Sequence, residues 1–171
     1  MPTLETSQVF DPLVMKQLCN ELKTWGDRVI CLRIGGNDLM NLLGIKRMKR
    51  MTSYDTPMRS VIDQLVIQFR SNGFELSAPV FDMIDDAETL KKEVEMDLIY
   101  GFYAKTAIHP SQLKVIEMAF AEFSETHAAQ ARQVLSKSSA AVFKINGQMT
   151  EQSCHSSWAA RTIKLSNNYN S

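Results

Sequence analysis

The chain has 171 residues, of which 44% are hydrophobic and 22% are charged, a composition typical of a globular protein with its own core. Nineteen basic residues balance nineteen acidic ones, so no overall field directs the protein to nucleic acid or to a membrane surface. No apolar stretch is long enough to span a membrane, and the N-terminus does not have the pattern of a signal peptide. Three cysteines without metal-type spacing predict free thiols and a cytoplasmic protein.

Strands and helices are predicted to alternate through the first two thirds of the chain. The predicted strands are 1–6, 29–34, 76–81 and 102–108, and the helices that follow them begin at Asp11, Thr56, Asp86 and His109. The strand at 29–34 is nearly all apolar, which is typical of a strand buried on both faces. Beyond these units the sequence predicts a helix at 125–137, a strand-like piece at 140–145, a turn at 146–147 and a last helix at 153–165.

Four strand–helix units in succession, roughly 33 residues apart, predict a parallel sheet with right-handed crossovers. Two architectures fit this order: an open doubly wound sheet, or part of an eight-stranded TIM-type barrel. The pattern alone does not choose between them. In both, a functional site forms at the carboxyl ends of the strands.

Polar groups lie within or directly after three of the predicted strands. Glu5 ends the first and Asp38 follows Gly35-Gly36 after the second, so the two carboxylates could share Mg²⁺, which prefers oxygen ligands. The alternative is that Asp38 caps a helix beginning at Leu39 and that Glu5 is a surface residue. Lys105, inside the fourth strand, either points at a site or extends to solvent.

For two further polar features, the sequence favours a structural role over a functional one. His109 precedes Pro110 and is expected to cap the helix that follows. The basic run 46–50 (KRMKR) is interpreted as a solvated loop in preference to a phosphate-binding patch.

Four segments resemble, in the same order, motifs of the citrate lyase β subunit-like (HpcH/HpaI aldolase) family. They are 2–6 (PTLET), 35–39 (GGNDL), 101–112 (GFYAKTAIHPSQ) and 142–149 (VFKINGQM). The tail 147–158 is most similar to predicted carbon–carbon bond lyases of tellurite-resistance gene clusters. The resemblance implies an α/β fold made of the C-terminal half of a TIM-type barrel, strands five to eight, followed by a helical and lid segment. The expected division is 1–123 for the half-barrel and 124–171 for the lid and helices.

The resemblance also implies roles for individual residues. Glu5 and Asp38 would bind Mg²⁺, and Gly36, Asn37 and Lys105 would contact the substrate, a small carboxylic acid or an acyl-CoA. Glu151, on the lid segment, would assist proton transfer. The implied reaction is a magnesium-dependent cleavage of a carbon–carbon bond.

The sequence departs from the family pattern at several positions. Asn37 replaces the glutamate that usually precedes the metal aspartate, Ala78 stands where the seventh strand usually carries an aspartate, and Ala104 replaces a glycine before Lys105. Glu151 replaces a lid aspartate and is one methylene longer. These differences predict a substrate other than citryl-CoA or malyl-CoA.

The segments that resemble the family begin at its fifth strand. We therefore expect a truncated protein, weakly active or inactive alone, with its missing N-terminal half elsewhere or with a homo-oligomer covering an open face lined by Ile30, Leu32 and Val80. Two alternatives stay open: a non-catalytic binding or regulatory domain that keeps the fold, and an intact small doubly wound protein.

Overall fold

A computed structural model describes residues 1–136, 142–145 and 147–169 of the chain. The chain forms two compact units, Met1–Ile116 and Glu117–Ser171. The division at 123 and 124 expected from the sequence stays a prediction about domain organisation. Within the described residues, no helix is both long enough and apolar enough to cross a membrane.

The first unit contains a parallel sheet with its strands in chain order. Strands β1 (Thr3–Leu4), β2 (Leu32–Ile34) and β3 (Leu76–Ser77) pair in the order β1-β2-β3. Leu4 lies opposite Ile34, and Leu32 lies opposite Leu76. One parallel bridge from Ala78 to Lys105 adds the fourth segment. Four successive parallel segments are the arrangement of half a TIM-type barrel.

Helices connect these strands. The first unit contains α1 (Pro12–Trp25), α2 (Gly36–Leu42), α3 (Met58–Leu65) and α4 (Ala87–Ile99), and α5 (Pro110–Leu135) begins in it. Asp11 caps α1 by accepting from the backbone N–H groups of Leu13 and Val14. Asp86 caps α4 through Thr89 N, at 3.1 Å. Both caps agree with the sequence prediction.

The core lies between the sheet and its helices. Leu32 and Ile34 of β2 are buried there, together with the apolar stripe of α3, whose buried members are Met58, Val61, Ile62 and Leu65. The stripe continues through one π-helical turn, Val66–Arg70, which buries Phe69. The apolar face of α3 that the helical periodicity predicted is therefore the face that is buried.

The strands are shorter than predicted, and two expectations about the apolar strand at 29–34 are wrong. Ile30 precedes β2 and is 82% exposed, so the predicted strand is not buried throughout. Leu32 is fully buried in the core, and it therefore does not line an open face. The fourth strand, predicted at 102–108, is reduced to the bridge at Lys105.

The second unit is built from helices and one hairpin. Strands β4 (Val142–Ile145) and β5 (Gln148–Glu151) pair antiparallel, with Phe143 opposite Thr150, and α6 (Gln152–Tyr169) follows. A small core joins Ala131 and Val134 of α5 to Ala159 of α6. The helix predicted separately at 125–137 is the C-terminal part of α5, and β5 was not predicted. Residues 137–141 and Asn146, which the predicted helix, strand and turn include, lie outside the described residues.

Candidate functional site

The carboxyl ends of β1 and β2 come together because of two glycines. Gly35 N donates to Leu4 O at 2.9 Å, which places Glu5 directly beside Gly35. A Cβ atom on Gly35 would lie 2.5 Å from Glu5 Cβ, and one on Gly36 would lie 2.7 Å from Pro79 Cβ. No larger residue fits at either position, so the glycine pair lets the three chain segments converge.

Glu5 and Asp38 line one pocket at this end of the sheet. The pocket, of about 360 Å³, is called the Glu5–Asp38 pocket and is lined by Glu5, Thr6, Ser7, Asp38, Asn41 and Leu42. Both carboxylates are exposed. Neither has a hydrogen-bond or ion-pair partner in the part of the chain that the structure describes.

Asp38 does not cap its helix, contrary to the structural alternative. Helix α2 begins at Gly36, with Gly35 at the cap position, and Asp38 is the third residue of its first turn. Its carboxylate approaches Gly35 instead, since a Cβ there would lie 3.3 Å from Asp38 Oδ2. The side chain is therefore directed along the strand end toward the Glu5 side.

Two more pockets continue along the same surface. The Asn37 pocket, of about 280 Å³, is lined by Asn37, Met40, Asn41, Ile45, Lys46, Arg47 and Asp82. The Lys49 pocket, of about 460 Å³, is lined by Lys49, Arg50, Asp82, Met83, Ile84, Asp85 and Asp86. Asn41 is shared by the first two pockets and Asp82 by the last two. Of the predicted substrate-binding residues, only Asn37 lines these pockets, and Gly36 is buried against Pro79.

Lys105 lies inside the first unit, in a buried charge network. Its ammonium donates to Asp97 Oδ2 at 2.8 Å, to Glu93 Oε1 at 3.0 Å and to Pro79 O at 2.7 Å. Tyr54 completes the network by donating its hydroxyl to Asp97 Oδ1 at 2.6 Å. An ammonium group has three donors, and all three are engaged here. These contacts give Lys105 a structural role. They do not support its predicted role in substrate binding, which stays a prediction.

Arg47 belongs to the same network, which corrects the interpretation of the run 46–50 as a solvated loop. Lys46, Lys49 and Arg50 are exposed, but Arg47 is 1% exposed. Its guanidinium lies over the Phe81 ring at 4.7 Å and forms ion pairs with Glu93 and Asp82.

The ionisation of the network follows from these contacts. Burial alone would raise the pKa of the Glu93 carboxyl, but Lys105 and Arg47 together hold it below its usual value. Burial alone would lower the pKa of Lys105. The negative charges of Asp97 and Glu93 outweigh this effect, so the pKa of Lys105 is raised. Burial, followed by the Asp97 charge, raises the pKa of Tyr54, so the phenol stays protonated and donates. Burial, together with the Glu93 charge, raises the pKa of the Asp97 carboxyl in spite of Lys105. The network therefore holds Glu93 as a carboxylate in contact with two cations.

The sequence analysis missed Arg47, Glu93 and Asp97. One signal was present, because Glu93 and Asp97 are spaced i, i+4 within the apolar stripe of α4 that also contains Leu90, Val94 and Leu98. Carboxylates on the buried face of a helix need cations or donors nearby. Nothing in the sequence identifies Arg47 as one of those cations, because it lies in a basic run whose other members are exposed.

Glu151, the predicted proton-transfer residue, ends β5 in the second unit. Ser153 Oγ donates to Glu151 Oε1 at 2.5 Å, and His155 Nδ1 lies 2.8 Å from Glu151 O. These contacts fix the residue at the start of α6. In the described ranges, no three His, Cys, Asp or Glu side chains form a group that could hold a metal ion.

Comparison with known proteins identifies the family of the chain. The profile of a family described as carbon–carbon bond lyases of the TIM-barrel fold matches residues 1–171. No curated protein matches the chain.

Several solved structures share the fold. CitE from Mycobacterium tuberculosis, in complex with magnesium, acetoacetate and coenzyme A, is 27% identical with a TM-score of 0.62, over 81% of this chain and 52% of that one. A citrate lyase from Burkholderia xenovorans LB400 is 13% identical with a TM-score of 0.60, over 98% of this chain and 52% of that one. RipC from Yersinia pestis is 20% identical with a TM-score of 0.55, over 68% of this chain and 49% of that one.

The matched part of this chain corresponds to about half the length of each of these structures. The chain itself belongs to the family of carbon–carbon bond lyases of the TIM-barrel fold.

Proposed function

We propose that the chain is the metal-binding half of a magnesium-dependent carbon–carbon bond lyase. The observation that carries the proposal is that Glu5 and Asp38, from two adjacent strand ends, line one pocket without protein partners among the described residues. The family match supports the reaction class. The tellurite-resistance association and a cytoplasmic location stay predictions.

The pocket residues fit a hard divalent cation. Mg²⁺ is commonly held by one or two carboxylates, with the remaining positions taken by water and substrate oxygens. Glu5 and Asp38 would supply the two carboxylates, and the Thr6, Ser7 and Asn41 oxygens are nearby. The bound ion would polarise a substrate carbonyl and stabilise the negative charge that develops as the carbon–carbon bond breaks.

An exposed cation lies in the pocket beside the proposed metal site. Lys46 lines the Asn37 pocket, which shares Asn41 with the Glu5–Asp38 pocket, whereas the Lys49 pocket contains Lys49 and Arg50 together with Asp82, Asp85 and Asp86. Lys46 would attract the carboxylate of a small carboxylic acid or the anionic part of an acyl-CoA. CitE from Mycobacterium tuberculosis binds both acetoacetate and coenzyme A, which supports the same substrate class here. Glu151 is proposed to assist proton transfer, on the basis of the resemblance.

The sheet is proposed to be completed by a second polypeptide. Strand β1 pairs only with β2, and the Lys105 segment pairs only with Ala78, so within the described residues both edges of the sheet are open. Open edges of parallel sheets pair with other chains. Either a second copy or an N-terminal half carried elsewhere would fill the barrel, and the isolated chain would be weakly active or inactive.

Isothermal titration with Mg²⁺ tests the metal site. The wild-type protein should bind one ion, and Asp38→Ala should reduce binding by at least about tenfold, since a carboxylate ligand is lost. Asp27→Ala is the matched control: Asp27 is an exposed aspartate in the short turn before β2, at the opposite end of the sheet. Equal binding by the wild type and Asp38→Ala would remove the metal proposal.

Activity and assembly are measured separately. Cleavage of citryl-CoA or malyl-CoA by the purified chain should stay near background, since positioning of the substrate contributes several kcal/mol to catalysis. Sedimentation equilibrium should show a dimer if a second copy completes the sheet. Rapid turnover by a monomer would contradict the half-barrel proposal. Mg²⁺ binding that persists without turnover in any assembly would favour the non-catalytic alternative.

A further inference from the structure

The segment 79–82 follows β3 and is held by side chains from other parts of the chain. Its first three carbonyl oxygens accept hydrogen bonds from Lys105, Arg47 and Gln112, in that order, and all three side chains are buried. Lys105 donates to Pro79 O at 2.7 Å. Buried backbone acceptors need partners, so these side chains fix the backbone at the end of the third strand.

Pro79 is also the residue against which α2 begins. Gly36, the first residue of α2, is buried, and a Cβ atom on it would lie 2.7 Å from Pro79 Cβ. Gly35, at the cap position, approaches Glu5 in the same way. The start of α2 therefore lies between the first and third strand ends, without room to shift toward either. Asp38 follows Gly36 within the first turn of the helix.

Lys105 joins Pro79 to the interior of the first unit. Its ammonium is fully buried and also donates to Glu93 Oε1 at 3.0 Å and to Asp97 Oδ2 at 2.8 Å, both on α4. Hydrogen bonds from a cation are stronger than those between neutral groups, and an ammonium has three donors, all of which are used here. Lys105 therefore acts on a site only through the groups it holds, of which Pro79 is the one at the strand ends.

We propose that Lys105 is a positioning residue for the metal site at the ends of β1 and β2. By holding the Pro79 carbonyl it fixes the Pro79 side chain against Gly36, which sets where α2 begins and so places Asp38 beside Glu5. Lys105 does this without contacting the metal ion. This inference rests on the proposed function and deepens it by naming a buried residue on which the magnesium affinity depends.

Magnesium affinity tests the link. Isothermal titration of the full chain should show Mg²⁺ binding about tenfold weaker in Lys105→Met than in the wild type, the lower end of the range for groups behind a metal ligand. Leu22→Ala is the control for stability: it removes buried volume from α1, with a large loss of stability of its own, and should keep the wild-type affinity. An affinity of Lys105→Met equal to that of Leu22→Ala would overturn the inference.

Pro79 provides a second pair of variants, which leaves the charges of the network in place. Pro79→Gly and Pro79→Ala both keep the carbonyl that accepts from Lys105, and only glycine removes the Cβ atom that lies against Gly36. Pro79→Gly should therefore weaken Mg²⁺ binding more than Pro79→Ala does. If Lys105→Met does not fold, this pair decides, and equal affinities of the two Pro79 variants would contradict the inference.

Hydrogen exchange separates this inference from the metal proposal. Without Mg²⁺, the amides of 35–42 should exchange faster in Lys105→Met and Pro79→Gly, relative to the average of the first unit, because the start of α2 loses its support. Leu22→Ala and Pro79→Ala should leave this ratio unchanged. An unchanged ratio in Lys105→Met and Pro79→Gly would also overturn the inference. A raised ratio in a protein that binds no Mg²⁺ would show that Lys105 fixes the start of α2 and would remove only the metal proposal.

Discussion

Two groups of charged side chains in the first unit differ in how their charges are satisfied. The buried network of Arg47, Glu93, Asp97 and Lys105 contains cations and carboxylates in direct contact, with hydrogen bonds to the remaining polar atoms. The strand-end carboxylates in the Glu5–Asp38 pocket are exposed and have no partner among the described residues.

The difference shows which charges are available for a ligand. Lys105 looked like a site residue because it is charged and lies within an apolar strand, yet its three donors are used inside the protein. Asp38 looked like a helix cap, yet it caps nothing and is directed into a pocket. Charge within an apolar segment is therefore a weak guide to function, and a missing internal partner is a stronger one.

Lys105→Met should have the largest effect on stability. The variant leaves Glu93 and Asp97 buried with one cation fewer, and breaking a buried pair in this way costs about 3–5 kcal/mol. The free energy of unfolding from urea titration measures it. Lys92→Met is the control: its pair with Glu88 on α4 is exposed to solvent, so the free energy of unfolding should be nearly unchanged. A loss below about 1 kcal/mol in Lys105→Met would show that the network carries little of the stability.

Gly35→Ala should come next, because it acts at the junction of the two strand ends. The new Cβ would lie 2.5 Å from Glu5 Cβ, and overpacking of this kind costs about 1–3 kcal/mol. A double-mutant cycle with Glu5→Gly provides the control, since removing the Glu5 Cβ should recover part of the loss. Strictly additive effects of the two substitutions on the unfolding free energy would contradict the close approach.

Tyr54→Phe should have a smaller effect within the buried network. The variant removes one hydrogen bond to Asp97 Oδ1 and leaves that oxygen buried without its donor, at a loss of about 1–2 kcal/mol. Tyr100→Phe is matched to it, because the two rings pack at 4.7 Å and only the hydroxyl changes. Thermal unfolding of both variants should show a clear decrease in the transition temperature for Tyr54→Phe alone. Equal decreases would mean that the hydrogen bond to Asp97 contributes no more to stability than the Tyr100 hydroxyl does.

Periodicity and capping were sufficient to predict most helices. The apolar spacing of α3 and the caps at Asp11 and Asp86 depend on neighbours in sequence, so the sequence predicts them directly. The neighbouring position of Glu5 and Asp38 followed from the rule that functional groups gather at the carboxyl ends of parallel strands. Their shared use of a metal ion stays a prediction.

Interactions between distant segments could not be predicted in the same way. Arg47 is buried because Glu93, Asp82 and Ser53 meet it from three different parts of the chain. The close approach of Gly35 to Glu5 and of Gly36 to Pro79 was likewise not predicted. Such contacts depend on tertiary packing, which no local pattern in a single sequence contains.

The smallest predicted effect concerns pH and the short turn before α3. Asp55 Oδ2 accepts from Thr52 Oγ1 at 2.7 Å and from Thr52 N at 2.8 Å, and these hydrogen bonds lower the pKa of the Asp55 carboxyl.

A carboxyl whose pKa is lower in the folded state contributes stability above its unfolded pKa of about 3.9, and the contribution is lost as pH falls through the folded value. Because Asp55 is exposed and solvent screens its charge, Asp55→Asn should lose only about 0.5 kcal/mol or less at pH 7, and the difference from wild type should narrow as pH falls below about 4. Asp63→Asn, on α3 without such hydrogen bonds, is the control. Urea unfolding between pH 7 and pH 3 measures both. A difference that stays constant across this range would mean that the charge of Asp55 does not contribute to the cap.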